Sequence, residues 1–180
     1  KKVIQHTKKT EPKEDIFTPA GALPEFRIMI ARTPEEHLLW NEYVDRYHYL
    51  GYTTIPGACL KYFIYSGDEM RKKNLNLVIN NAGFLILPWV FSKNLASKVL
   101  AAISKRVADD WKEHYKYRPV LLETFVEQKR FQGTCYKAAN WRYLGETKGR
   151  GKKDRQKKAQ LPKKGIFVYP LVKNFKRLLS

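Results

Sequence analysis

Apolar and polar positions alternate in Phe26-Arg27-Ile28-Met29-Ile30, the two-residue period of a half-buried strand. Thr33-Pro34-Glu35-Glu36 then combines an N-cap, a proline at the first helical position and a glutamate placed to complete a capping box, which predicts a helix from Pro34 to about Leu50. Leu38, Leu39, Tyr43, Tyr47 and Leu50 give it three- and four-residue spacing, and Gly51 offers a left-handed exit. Ala58–Tyr65 reads as a second strand, and Gly83–Phe91 as a third that is apolar on both faces and therefore covered. Asn94 can cap a helix reaching about Tyr115, with Leu95, Val99, Leu100, Ile103, Val107 and Trp111 on one stripe. A strand at Pro119–Val126, a short helix at Gly133–Trp141 and strands at Tyr143–Thr147 and Ile166–Pro170 complete the pattern, with no internal repeat.

Strand, helix, strand is a crossover unit, so the expected class is α/β or α+β, a mixed sheet with helices packed on it. Residues 1–24 hold five Lys, three acids and prolines at 12, 19 and 24, and read as a basic tail or linker before a single domain at 25–180. The longest apolar run, 84–91, is eight residues. A spanning helix needs roughly 20, so no membrane association is expected. No targeting segment is expected either. Cys59 and Cys135 stand far apart with no CxxC or Cys/His cluster, which argues against a disulfide framework or structural zinc and for a reducing, cytoplasmic setting.

Charge changes the picture. The chain carries 35 Lys+Arg against 17 Asp+Glu, a net +18, yet 43% hydrophobic residues are too many for a disordered polycation. Nine of the cations (Lys148, Arg150, Lys152, Lys153, Arg155, Lys157, Lys158, Lys163, Lys164) fall in the 17 residues 148–164 with one acid, Asp154, so 9 − 1 = +8 is local. Such a block repels itself, but it neutralises phosphates well, and Gly149, Gly151 and Gly165 allow close backbone approach. The bland alternative is a solvated basic loop that serves only solubility. Tyr47, Tyr49, Tyr52, Tyr136, Trp141 and Tyr143 are candidates for stacking on bases, against the alternative that they are core. The start of the helix at Asn94, flanked by Lys93 and Lys98, reads equally as a phosphate seat or a plain cap.

The strings Trp40-Asn41-Glu42, Arg46-Tyr47-His48-Tyr49-Leu50-Gly51, Phe84-Leu85-Ile86-Leu87-Pro88-Trp89-Val90, Asn94-Leu95-Ala96-Ser97, Leu122-Glu123-Thr124-Phe125-Val126 and Gly133-Thr134-Cys135-Tyr136, with Ala138-Ala139-Asn140-Trp141 and Gly149-Arg150-Gly151 after them, resemble the Druantia anti-phage system protein DruA family. The family is also similar to a module of some insertion-sequence transposases. The resemblance covers roughly Leu23 to Leu179 and implies phage defence or mobile-element biology, with DNA, other defence subunits and a homo-oligomer as partners. Two departures stand out. About 30 residues, including a strand, are expected between Tyr65 and Arg71, where only Ser66-Gly67-Asp68-Glu69-Met70 occur; omitted residues are the expected explanation, and a Cα step well beyond about 3.8 Å across 66–71 tests it. Gly83 stands where relatives are expected to carry arginine.

With that strand restored, the element order looks like the GNAT superfamily of N-acetyltransferases. Fold similarity does not transfer chemistry. The turn Lys93-Asn94-Leu95-Ala96-Ser97-Lys98 lacks the glycines with which those enzymes hold a pyrophosphate, and Trp141 lies near where their general-acid tyrosine is expected. Acyl transfer is therefore a second alternative. The first is a metal-dependent nuclease or transposase-like enzyme, which needs convergent carboxylates around an ion such as Mg2+. Glu123, Asp154 and Asp45 are the acids available, and the bland reading of Glu123 is a buried carboxylate paired with Arg46 or Arg142. His48 is a general-base candidate against a helix-end capping role, and Cys135 a reactive thiol against a small filler. The sequence names no metal ligand set and requires no cofactor. The leading expectation is a DNA-binding component that uses Arg46, Lys93 and the 148–164 loop, with Glu123, His48 and Asp154 as the catalytic candidates.

Overall fold

A computed structural model describes residues 3–23, 26–54, 59–66, 78–80, 83–149 and 161–175. The chain divides into two compact units, Lys1–Leu95 and Ala96–Ser180. Helices and antiparallel ladders make it an α+β protein.

In the first unit, β1 (Phe26–Ile30) pairs antiparallel with β2 (Tyr62–Ser66), and β3 (Val78–Asn80) with β4 (Gly83–Leu85). Between β1 and β2 runs α1 (Pro34–Tyr47), opened by the expected capping box: Glu36 N donates to Thr33 Oγ1, and Thr33 N to Glu36 Oε2. It ends at Tyr47, short of Leu50, because His48 turns extended (ψ 131°); Gly51, at φ +62°, donates its N–H to His48 O. The buried stripe is Trp40, Tyr43 and Val44, while Leu38, expected on it, is exposed.

The segment expected as a tail carries structure. Val3 is exposed, but Thr10, Ile16, Ala20 and Leu23 are buried. Residues 6–10 lie along α1: Glu42 accepts from Thr7 N, Thr7 Oγ1 and Thr10 Oγ1, Tyr43 and Tyr47 donate to the carbonyls of Lys9 and Thr10, and Arg46 donates to Thr7 O. Ile16 N then donates to Trp89 O, and Phe91 N to Ile16 O, a short parallel bridge beside Val90. The third strand is correspondingly shorter than expected, since Pro88 has no N–H and Val90 N turns back to Leu87 O. Its apolar run stays buried at Leu85, Leu87, Trp89 and Val90.

All of α2 (Leu95–Tyr115) but its first residue belongs to the second unit, and the helix buries Leu95, Val99, Leu100, Ile103 and Val107 as its spacing predicts. Asn94 precedes it at φ +64°, a left-handed conformation unlike that of a side-chain N-cap. Strand β5 (Leu121–Glu127) leads to α3 (Thr134–Ala138), then β6 (Arg142–Glu146) and β7 (Lys164–Pro170). The sheet order is β5-β7-β6, with the last strand between the other two and both pairings antiparallel. The parallel crossover expected from sequence is absent from the described ladders, because β4 pairs with its hairpin neighbour and β5 with the end of the chain. The Cα test at 66–71 falls on residues 67–71, which lie outside the described residues.

Candidate nucleic-acid interface

The β5-β7-β6 order makes the basic segment the connection between two paired strands. Its ends are tied: Thr147 N donates to Lys164 O at 2.9 Å, Lys164 N to Thr147 Oγ1 at 3.0 Å, and Leu161 N to Gly149 O at 2.9 Å. Gly149 sits at φ +67°, in the region open to glycine. Lys148 and Lys163 are exposed, and Lys163 stands 3.8 Å from Glu146, a surface pair worth little in water. Arg150, Lys152, Lys153, Arg155, Lys157, Lys158 and Asp154 lie outside the described residues.

Beside these tied ends lies an open groove of about 540 Å³, lined by Gln128, Lys129, Glu146, Leu161, Pro162 and Lys163. Sequence reasoning missed Gln128 and Lys129, which belong to the turn after β5 and reach the loop only because β7 inserts between β5 and β6. The adjacent cations Lys129-Arg130 at a strand end were the available signal.

The other candidates are distributed. Glu123 is exposed on β5, which corrects the expectation of a buried carboxylate; it is in register with Val168, whose other neighbour is the exposed Arg142. His48 belongs to the first unit, where burial holds its imidazole below the ordinary range and its Nδ1 accepts from Leu50 N at 3.4 Å. A neutral ring is the form that can accept there. Asp45 is engaged by His6 at 3.0 Å and by Tyr52 N at 3.1 Å. Arg46 holds Thr7 O, and Lys93 is exposed. Burial pushes the Cys135 thiol up, against a nucleophilic role at neutral pH. Among the described residues no three His, Cys, Asp or Glu side chains converge as a metal-holding group.

Most of the stacking candidates are structural. Tyr47 packs edge-on against Trp89, Tyr52 against Trp40, and Tyr136 stacks on Phe167. The Trp141 indole donates to buried Ser104 Oγ at 3.2 Å, so this ring serves the core of the second unit. Tyr49 and Tyr143 remain substantially exposed, at 40% and 44%.

The class defined by these features is an α+β protein with a cationic hairpin connection; no helix among the described residues is long and apolar enough to cross a membrane. The family model of the Druantia protein DruA matches residues 63–159, more than half of the chain, and the chain belongs to that family. Membership points to a role in the Druantia anti-phage system and to other subunits of that defence. No curated protein matches the chain.

Proposed function

We propose that this chain is the nucleic-acid-holding component of its defence system, that it grips DNA phosphates through the β6–β7 connection, and that it works with other subunits on a GNAT-like sheet related to a transposase-associated module. The observation that carries the reading is a +8 stretch of 17 residues strung between hydrogen-bonded strand ends beside an open groove. The tied ends fix where this stretch leaves β6 and enters β7. Every phosphate neutralised there releases condensed counterions, which favours binding without base reading. Lys129, an exposed cation outside the loop, extends the same positive edge.

Reversing Lys152, Lys153, Lys157 and Lys158 to Glu changes the local charge by eight units and is expected to abolish DNA binding in a filter or polarisation assay. Thermal unfolding of the variant reports whether the fold is intact. Retention of DNA by a folded variant overturns the phosphate grip.

A further inference from the structure

Phosphate attraction alone does not explain the composition of the groove. It is lined by two apolar side chains, Leu161 and Pro162, and by the amide of Gln128 as well as by Lys129 and Lys163. Gln128 also joins it to an aromatic platform: its Nε2 donates to the Tyr143 hydroxyl at 3.3 Å. The platform is a built feature. A Cβ on Gly165 would stand 2.7 Å from Gln128 Nε2 and 3.2 Å from both Tyr143 Cε2 and Phe167 Cε2, so Tyr143 and Gln128 close over a backbone position that only glycine leaves open. Phe167, fully buried, supports the Tyr143 ring at 5.3 Å between centroids. The ring nevertheless keeps 44% of its surface in water, and Lys137 Nζ lies 5.9 Å from its centroid. Leu161 and Phe131, at 55% and 52% exposed, belong to the loop end and to the turn that carries Lys129.

We infer that this end of the sheet holds an unpaired base, and therefore that single-stranded nucleic acid is the preferred form of the polyanion bound there. The inference rests on the phosphate-gripping reading and names its substrate class. In a duplex the base faces are already stacked, so an exposed ring and an apolar-floored groove gain nothing from it. In a single strand every base offers a face to Tyr143, while Lys129 and Lys163 take the flanking phosphates. Lys137, exposed and on a flexible stem, yields the ring to the base and reaches the same phosphate. The Gln128 amide and Glu146 carboxylate supply polar contacts at the base edge.

The test compares a 20-nucleotide single strand with the blunt duplex of the same sequence, for the full chain at one salt concentration. Wild type is expected to prefer the single strand by tenfold or more. Tyr143→Ala is expected to weaken single-strand binding about 5- to 150-fold, the range for loss of one stacked base, while duplex binding and its salt slope stay put. Tyr143→Phe, which keeps the ring, is expected to restore the preference. Because Tyr143→Ala can disturb the packing on Phe167, a second measurement uses wild type alone: photocrosslinking of a 5-iodouracil-substituted single strand is expected to label Tyr143 or its neighbours at 128–131. Equal affinity for the two forms, or crosslinks confined to other parts of the chain, overturns the base-holding inference and leaves the phosphate grip standing. Binding of neither form overturns both.

Discussion

Gly133 faces the Phe167 ring so closely that a Cβ on it would stand 2.4 Å from Phe167 Cζ and 2.7 Å from Cε2. The glycine is at φ +69°, opens α3, and gives its carbonyl to the N–H groups of Tyr136 and Lys137. Two penalties therefore coincide for any larger residue, the left-handed backbone and the collision with a side chain that is itself 1% exposed. Gly133→Ala is expected to destabilise the second unit by about 2–5 kcal/mol, the sum of a left-handed penalty and an overpacking cost. Urea unfolding followed by tryptophan fluorescence measures it, and a change within 0.5 kcal/mol contradicts the packing described.

The Ser104 hydroxyl and the Trp141 indole form the polar contact between α2 and the start of β6. Both residues are buried, at 2% and 9% exposure, and they are 37 positions apart. Ser104→Ala removes the acceptor and leaves the indole N–H without a partner. The expected cost is about 1–3 kcal/mol. In Ser104→Ala/Trp141→Phe neither polar group remains, so the two effects are expected not to add. A double-mutant cycle on unfolding free energies reads the coupling, and strict additivity counts against the hydrogen bond.

The elements most legible in the sequence were those whose signals are local. The Thr33–Glu36 capping box and the α2 stripe at Leu95, Val99, Leu100, Ile103 and Val107 are both written in residues three or four apart. What escaped depends on partners distant in the chain. The three- and four-residue period places Leu38 on the α1 stripe, because period alone does not say that Glu42 is buried among the hydroxyls of Thr7 and Thr10. The packing of residues 6–23 is carried by side-chain bonds to backbone carbonyls and by the bridge at Ile16, which leave no hydrophobic period to read. Of the candidate site, the basic loop and Tyr143 were visible as residue types. Their common location with Gln128 and Lys129 was not, since it follows from β7 entering between β5 and β6.

Salt dependence separates a phosphate grip from a merely soluble surface. Between Lys148 and Lys164 the sequence holds nine cations. If six or more engage, affinity for duplex DNA is expected to fall by about 10³ between 50 and 200 mM salt, with log Kd against log salt linear at a slope of roughly 0.9 per phosphate. Titrations at four salt concentrations measure the slope. A slope below about 2 limits the loop to one or two phosphates and removes it as the main source of affinity.

Acid is expected to loosen the N-terminal segment before the rest of the first unit. Burial pushes the Glu42 carboxyl up, but hydrogen bonds from Thr10 and Thr7, with Arg46 nearby, overcome it and hold the group below its ordinary value. Glu36 is likewise held down, by the N–H groups of Arg32 and Thr33. For a carboxylate whose folded value is depressed, the stabilisation is present above the unfolded value of 4.5 and is lost as pH falls through the lower folded value. The contribution of Glu42 and Glu36 to the unfolding free energy is therefore expected to be flat from pH 7 to 5 and to decline below about 4.5, whereas His48, held below its ordinary value by burial, adds its own loss as pH falls through 6.5. Glu42→Gln is expected to cost about 1–3 kcal/mol at pH 7, since a neutral amide receives the two threonines poorly, and to flatten the acid decline. Proteolysis at Lys8 and Lys9 in the same variant, at pH 7, reports the local event: faster cleavage with the remainder of the chain protected is the expected result, and unchanged cleavage shows that Glu42 does not hold the segment.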